Sequence, residues 1–265
     1  MVEEVDAHFA VIVYTPDRDI MNAAGGDPWV WYTDIPIISR VYLTSSFMLT
    51  ALCALDVVSP FHLYFNFGLI FYKGQVWRLV TNFIFFGNFS LDFLFHMYFL
   101  VRYCRLLEEG VFRGRPADFA AMLLWGATAM TALGPWIKVH FLGSSLTFMM
   151  VYIWGRKNEH VRMNFLGVIP FTAPYLPWVL LGFSCLLGNP PTADAVGIGV
   201  GHCYFFARWV YPEVARLRGW RLRALLTTPG YLHRIFGSSP PERRRANEER
   251  RRAGGGAEGG GGDAV

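Results

Sequence analysis

The distribution of charge along the chain constrains its fold more than any other feature. Charged residues are few between Ser39 and Val210, and they crowd together in the tail that follows. More than half of the 265 residues are apolar, at 53%, and 17% are aromatic. This distribution is typical of a chain whose apolar residues face lipid as well as a protein core from which water is excluded. The sequence therefore predicts an all-α, polytopic membrane protein.

Six apolar segments are predicted to cross the membrane as helices. They are Ile37–Val57, Leu91–Leu107, Ala117–Leu133, Val139–Trp154, Phe171–Leu187 and Ala193–Tyr211. A helix needs about 20 apolar residues to cross the hydrocarbon core, so several of these segments are short. Short spans are matched by local thinning of the bilayer or by packing against longer neighbours.

The basic residues between these segments predict the orientation. Four arginines lie in the last two turns of the second segment and in the loop after it, three basic residues follow the fourth, and twelve arginines lie from Arg208 to Arg252. The opposite side carries only Lys73, Arg78 and Lys138. Because cytosolic loops are enriched in Lys and Arg, both termini are expected in the cytosol. The chain is then divided into four parts. Residues 1–35 are a cytosolic extension and residues 36–211 the membrane domain. Residues 212–236 are an interfacial amphipathic segment, and residues 237–265 a disordered basic, Gly-rich tail.

Several functional classes find no support in the residues. The net charge of +4 comes largely from the tail and not from a basic folded face, which argues against nucleic-acid binding. The four cysteines form no Cys-x-x-Cys pair, so neither a metal site nor a disulfide framework is indicated. We expect no cofactor, and buried, unreactive thiols.

Residues 58–90, between the first two segments, are too apolar for a solvated loop. Pro60 and Gly68 interrupt the segment, which favours a re-entrant or interfacial structure. Trp77, Arg78 and Asn82 follow, where an arginine could bind lipid phosphates or cap backbone carbonyls. A simple interfacial anchor is the alternative that the residue types alone favour.

Longer motifs make the chain resemble the Derlin family, and its plant and algal members most closely. The resemblance runs in order from about Pro36 to Phe236. It rests on segments such as Asp56-Val-Val-Ser-Pro-Phe, Gln75-Val-Trp-Arg-Leu-Val-Thr-Asn-Phe, Phe93-Leu-Phe-His-Met-Tyr-Phe-Leu, Tyr175-Leu-Pro-Trp-Val-Leu-Leu-Gly-Phe and Gly197-Ile-Gly-Val-Gly-His-Cys-Tyr-Phe-Phe.

The resemblance implies a rhomboid-like six-helix bundle in the endoplasmic reticulum membrane. Its implied role is to move misfolded lumenal or membrane proteins toward degradation in the cytosol, through a lateral opening between the second and fifth spans. Implied partners are a membrane ubiquitin ligase complex, a cytosolic AAA ATPase, misfolded clients and further copies or relatives of the chain. The tail lacks the short motif with which some Derlins recruit the ATPase.

The rhomboid likeness raises the alternative of an active serine protease that uses Ser145 and His202. A rhomboid nucleophile needs a small following residue, whereas Leu146 follows here. Rhomboids also place an Asn four residues after the His of the second span, and His96 is followed at that spacing by Leu100. A missing oxyanion donor costs a hundredfold or more in rate, on the order of 3 kcal/mol. The dyad is therefore predicted to be vestigial, and the protein not to be an enzyme.

The remaining polar groups of the predicted membrane interior receive two interpretations. Asp92, His96 and Ser144 are polar sites within the bundle on which a non-catalytic role would depend, and ionisable groups such as Asp92 and His96 are often functional within a membrane. For Ser144 and Ser145 the favoured interpretation is a small-residue face that lets helices approach closely. Gly197 and Gly201 form a small-residue face that suits close helix packing. Trp77 and Arg78 are expected to hold the segment that braces the lateral opening.

Overall fold

A computed structural model describes residues 28–137, 139–165, 169–220 and 225–236, most of which are helical. The helices are α1 Pro28–Asp34, α2 Ile37–Ala54, α3 Phe67–Lys73, α4 Arg78–Ile84, α5 Leu91–Leu106, α6 Pro116–Ile137, α7 Gly143–Lys157, α8 Leu176–Leu186, α9 Pro191–Phe205, α10 Tyr211–Leu217 and α11 Gly230–Ile235. Short π-helical turns at Leu107–Val111 and Phe206–Val210 extend α5 and α9, and 3₁₀ turns lie at Pro60–His62 and Ala173–Tyr175.

Six of these helices, α2 and α5 to α9, lie at the six segments predicted to span the membrane. Local signals set their ends: the Ser90 hydroxyl accepts from the Phe93 amide at 3.1 Å, and Pro116 opens α6. Only α2 and α6, among the described residues, are both long and apolar enough to cross a membrane by that criterion, and Ala173–Leu186 is a shorter apolar helix. The fold is thus predominantly helical, as predicted, while the number of spans stays a prediction.

A β-hairpin departs from the all-α prediction. Strand β1, Arg162–Phe165, pairs antiparallel with strand β2, Ile169–Thr172, with Met163 opposite Phe171. The prediction that a helix begins at Phe171 is wrong, because Pro170 and Pro174 lack the amide hydrogens that a helix interior requires. Helix α8 begins only at Leu176 and has 11 residues.

Helix α7 forms the centre of the bundle, with twelve of its fifteen residues buried. Helix α9 packs on it most closely, because glycines remove the side chains that would hold the two backbones apart. A β-carbon at Gly197 would collide with the Ser145 carbonyl oxygen and lie 2.8 Å from the Phe148 Cβ. One at Gly201 would lie 3.1 Å from the Tyr152 Cβ. Gly197 and Gly201 therefore lie in the α7–α9 contact.

A buried carboxylate caps the first long helix. Glu108, in the π-helical turn after α5, is 8% exposed. Its carboxylate accepts from the Ser39 amide at 2.9 Å, the Ser39 hydroxyl at 2.7 Å and the Ile38 amide at 3.2 Å. These are amides of the first turn of α2, which have no partner within the helix. Glu108 thereby joins the ends of α2 and α5.

The C-terminal part of the described chain folds back onto α6. Asp118, 2% exposed, accepts a hydrogen bond from the Thr228 hydroxyl and lies 3.7 Å from the Arg115 guanidinium and 3.9 Å from that of Arg208. Helices α10 and α11 fall in the segment predicted to lie at the interface. The extension before Pro28 and the tail after Phe236, for which a cytosolic location and disorder were predicted, lie outside the described residues.

Replacing Glu108 by Ala is expected to destabilise the protein by about 2 kcal/mol, since two amides and a hydroxyl lose a charged acceptor in a buried place. Thermal unfolding of purified protein in detergent measures the loss. The matched control is Glu109→Ala, because Glu109 makes an exposed pair with Arg105 at 2.9 Å, four residues away in sequence. Such exposed pairs contribute about 0.5 kcal/mol or less. Equal destabilisation by both variants would contradict the capping role.

Candidate functional site

The segment between α2 and α5 folds as short helices that are tied to the bundle. Asn66 caps α3 by accepting from the Leu69 amide at 3.0 Å, and Gly74 ends that helix with a φ of 66°. The Phe65 amide donates to the His140 carbonyl at 2.7 Å, and the Leu142 amide donates to the Asn82 carbonyl at 3.1 Å. The segment is thus fastened to the connection between α6 and α7, and Asn82, fully buried, lies at one of the two links.

Arg78 organises this segment from within. The side chain is 3% exposed, and its guanidinium donates to the carbonyls of Phe61 and Tyr64, both at 3.0 Å, and to the Gln75 side chain at 2.7 Å. It also lies over the Tyr64 ring at 4.8 Å. Of the roles considered for Arg78, the geometry corresponds to binding of backbone carbonyls. Trp77 is half-exposed, and its indole nitrogen donates to the His62 carbonyl at 3.3 Å.

Ser145 and His202 do not form a pair. The Ser145 side chain is fully buried, and its hydroxyl donates to the Ala193 carbonyl at 2.6 Å. The His202 Nδ1 lies 2.6 Å from the Tyr152 hydroxyl. Tyr152 follows Ser145 by seven residues on α7, which is about 10 Å along a helix. The two side chains are therefore held at different depths of the α7–α9 contact.

A polar cavity of about 380 Å³ lies instead where α5, α7 and α9 begin and α8 ends. Asp92 is its most connected member: its carboxylate accepts from the Asn189 side-chain amide at 2.7 Å and lies 3.4 Å from the His96 Nδ1. That nitrogen also lies 2.9 Å from the Asp92 backbone carbonyl oxygen. Two of the residues predicted to be polar sites within the membrane, Asp92 and His96, thus face one space.

A second carboxyl group faces the same cavity from α9. Asp194 is 3% exposed, and it interacts with the hydroxyls of Ser184 and of Ser144, the third predicted polar residue. The Ser144 hydroxyl is thus engaged by a carboxyl group. Carboxyl groups that are surrounded by hydroxyl, amide and imidazole groups can exchange hydrogen bonds with polar atoms of a guest.

The cavity opens toward a slot between α5 and α8, the second and fifth predicted spans. The slot has a volume of only about 30 Å³ and shares Asp92, His96 and Ser184 with the cavity. The rings of Phe95 and Phe183 meet across it edge to face, with centroids 5.5 Å apart. An apolar ring pair thus bridges α5 and α8 at the slot.

Sequence reasoning missed Ser184, Asn189 and Asp194 as members of this site. Asp194 gave a usable signal, because it is an ionisable residue near the start of a predicted span. Asn189 lies between Gly188 and Pro190 in a connection, where its type indicates only a turn.

The thiols were expected to be buried. Those of Cys53 and Cys104 are buried, whereas those of Cys185 and Cys203 are exposed on the bundle. No cluster of metal-binding side chains occurs among the residues that the structure describes.

Comparison with known proteins decides the family. The model of the Der1-like family matches residues 35–229. The chain is 48% identical to Derlin-2.1 of Arabidopsis thaliana over 221 residues, which cover 79% of this chain and 88% of the relative. It belongs to the Der1-like family. Derlin-2 of Oryza sativa subsp. japonica is 49% identical over 217 residues, covering 78% and 85% of the two chains. The "Probable derlin-2 homolog" of Dictyostelium discoideum is 40% identical over 212 residues, covering 77% and 81%.

The predicted resemblance to plant Derlins is thereby confirmed, since these plant Derlin-2 proteins share more identity with the chain than the Dictyostelium protein does. Membership implies an endoplasmic reticulum membrane protein with a role related to the degradation of proteins from that compartment. The Derlins are rhomboid-like proteins that are generally regarded as inactive.

Replacing Arg78 by Lys is expected to loosen the segment between α2 and α5, because an ammonium group cannot reproduce the planar set of donors that holds two carbonyls and an amide oxygen. Hydrogen exchange of the amides of residues 59–66 should become faster by about tenfold or more. The reciprocal variant Lys73→Arg, at an exposed position of the same segment, is the control and should leave the exchange unchanged. Unaltered protection in Arg78→Lys would contradict the organising role.

Proposed function

We propose that this Derlin works without cutting its clients, as the part of the degradation machinery that helps misfolded proteins leave the endoplasmic reticulum. A client segment enters laterally between α5 and α8, and its polar groups are received by the cavity that holds Asp92, His96, Ser144 and Asp194. The observation that carries this proposal is the connection of that cavity to the Phe95–Phe183 slot.

The chemistry of the cavity suits a polypeptide in transit. A backbone in hydrocarbon needs partners for its amide and carbonyl groups, and each unsatisfied group costs several kcal/mol, on the order of 2–7. The carboxyl groups of Asp92 and Asp194 accept hydrogen bonds, while the side-chain amide of Asn189 donates them. Such a set is indifferent to client sequence, which a quality-control protein requires.

The short helices contribute a second element of the proposal. Helix α8 has 11 residues and α7 has 15, which correspond to lengths of about 16 and 22 Å. The hydrocarbon core is about 30 Å thick, so lipid next to these helices would thin. A thinner core lowers the energy needed to bring polar chain across, which is about 3 kcal/mol for one charged residue at the centre of a membrane.

Hydrolysis through Ser145 is the alternative that the geometry does not favour. A serine nucleophile requires a base within hydrogen-bonding reach of its hydroxyl. The Ser145 hydroxyl donates to a backbone carbonyl, and the His202 ring is engaged by Tyr152 about two helical turns away. Both side chains are accounted for by contacts between α7 and α9, and the arrangement supports a packing role for each.

We also propose the family's partners for this chain: a membrane ubiquitin ligase complex, a cytosolic AAA ATPase and misfolded clients in the membrane or lumen. The orientation that supports these partners is the one predicted from basic residues, with both ends in the cytosol. Recruitment of the ATPase is proposed to run through the ligase complex, since the tail has glycines but no accompanying aromatic residue or leucine after Phe236.

The lateral opening is tested by photo-crosslinking from defined positions. A photoactivatable phenylalanine analogue at Phe95 or Phe183 is expected to capture a misfolded membrane client, and capture should increase when the ATPase is inhibited and clients accumulate. The control position is Leu133, which is 40% exposed on α6 away from the slot. Crosslinks that form at Leu133 as readily as at Phe95 would contradict the proposed entry site.

The absence of catalysis is tested with a membrane reporter that an active rhomboid cleaves. The wild-type chain is expected to leave the reporter intact, and Ser145→Ala is expected to leave client half-life within about twofold of wild type, provided that the variant is as stable. Ser145→Ala removes a hydrogen bond worth about 1 kcal/mol, so thermal stability is measured in parallel. Cleavage by wild type that disappears in Ser145→Ala would establish the protease alternative.

A further inference from the structure

Two cavities along the outer face of α6 join into one amphiphilic site. The larger has a volume of about 880 Å³ and runs between α6 and the α3–α4 segment. The smaller, of about 230 Å³, lies between α6 and the segment that leads into α11. Leu124 and Thr128 line both cavities, so the two spaces adjoin at this level of α6. Neither belongs to the polar cavity or the slot between α5 and α8.

The larger cavity, here called the acyl groove, is apolar along its length. Its walls are aromatic and aliphatic side chains on α3 and α4, including Phe67, Phe71 and Phe83, facing small residues such as Ala127 and Ala132 on α6. From Leu124 to Trp136 the α6 wall rises by about 18 Å, at 1.5 Å per residue. This is close to the thickness of one leaflet of the hydrocarbon core, about 15 Å.

The smaller cavity, here called the head pocket, offers different chemistry. Arg208, Thr227, Thr228 and Tyr231 line it together with the indole ring of Trp125. The Thr228 hydroxyl donates to Asp118, and one nitrogen of the Arg208 guanidinium donates to the Leu226 carbonyl at 2.9 Å. The other guanidinium donors, the Thr227 hydroxyl and the Tyr231 phenol are groups that bind phosphate oxygens. Trp and Tyr also favour the level of lipid headgroups. The pocket lies beside the first half of α6, from Ala121 to Thr128, on the side of the bundle that carries Arg115 and Arg208.

The charges beside the head pocket do not balance. The single carboxylate of Asp118 faces two guanidinium groups, those of Arg115 at 3.7 Å and Arg208 at 3.9 Å. The cluster therefore carries an excess of one positive charge next to a space lined by hydroxyl groups. An anion in the head pocket would neutralise this excess.

We propose that the head pocket and the acyl groove together bind one phospholipid of the cytosolic leaflet, with its phosphate at Arg208 and an acyl chain along α6. The joint occurrence of an anion site and an apolar groove of leaflet length selects an amphiphile. A transmembrane helix would match the groove alone, since it brings no anion to the level of Arg208. The bound lipid would fix the α3–α4 segment and the C-terminal segment to the same face of α6.

The test uses the full-length protein in nanodiscs of phosphatidylcholine that contain increasing amounts of a phosphatidylserine with a photoreactive group on its acyl chain. Mass spectrometry of peptides then maps the label. We expect saturable labelling of residues 124–136 and of the lining residues on α3 and α4. Thr227→Glu, which sets a carboxylate against the phosphate, should weaken the labelling affinity about tenfold, whereas the neutral Thr227→Gln should retain it.

The acyl groove has its own matched pair of variants. Ala132→Trp fills the groove and should abolish saturable labelling, while Leu133→Trp adds the same ring to an exposed neighbouring position that does not line the groove. Thermal unfolding establishes that all four variants are folded. Labelling that is uniform over the lipid-facing helices, or that persists in Ala132→Trp, would overturn the proposal. So would recovery of a second protein chain, instead of lipid, from the groove.

Discussion

The contact between α7 and α9 is the constraint on which the rest of the structure depends. Two glycines, Gly197 and Gly201, bring the α9 backbone against the backbone and side-chain stems of α7. In a membrane such contacts form through close packing, because lipid tails are as apolar as the helices and supply little hydrophobic drive. The contact fixes the relative depth of the two helices. That depth places Ser145 beside Ala193 and Tyr152 beside His202, and so separates the two residues that a protease would need together.

The same relative depth gathers polar groups elsewhere. With α7 and α9 fixed, Ser144 and Asp194 project into the space where α5 begins, and Asp92 and His96 meet them there. The bundle thus gathers a polar interior at the end where α5, α7 and α9 begin. The carboxyl groups of Asp92 and Asp194 lie there among hydroxyl, amide and imidazole groups, which can exchange hydrogen bonds. The proposed function relies on this capacity to receive the polar groups of a client.

The sequence predicted the helices well where the signals were local. Pro116 and Ser90 begin helices that lie within a residue of their predicted starts, since helix-initiating residues act on their own first turn. The start of the fifth segment was predicted five residues too early, because Phe171 and Thr172 belong to a strand and the helix begins only after Pro174. Sequence also indicated Asp92, His96 and Ser144, because polar residues stand out in apolar surroundings. The pairing of His202 with Tyr152, and the role of Asp194, depend on the depth of one helix against another, which no local pattern encodes.

Buried carboxylates stabilise the ends of helices in lipid, which offers no hydrogen bonds to their free backbone groups. Glu108 satisfies the first amides of α2, and Asp118 joins α6 to the C-terminal segment through Thr228 and to the end of α9 through Arg208. Each of these contacts lies at a helix end on the basic side of the molecule, where donors compensate for the burial of the carboxylate. The opposite end carries the polar cavity, whose carboxyl groups meet fewer cations. One end of the bundle is therefore stabilised by ion pairs and helix caps, while at the other end hydrogen-bonding side chains face the polar cavity.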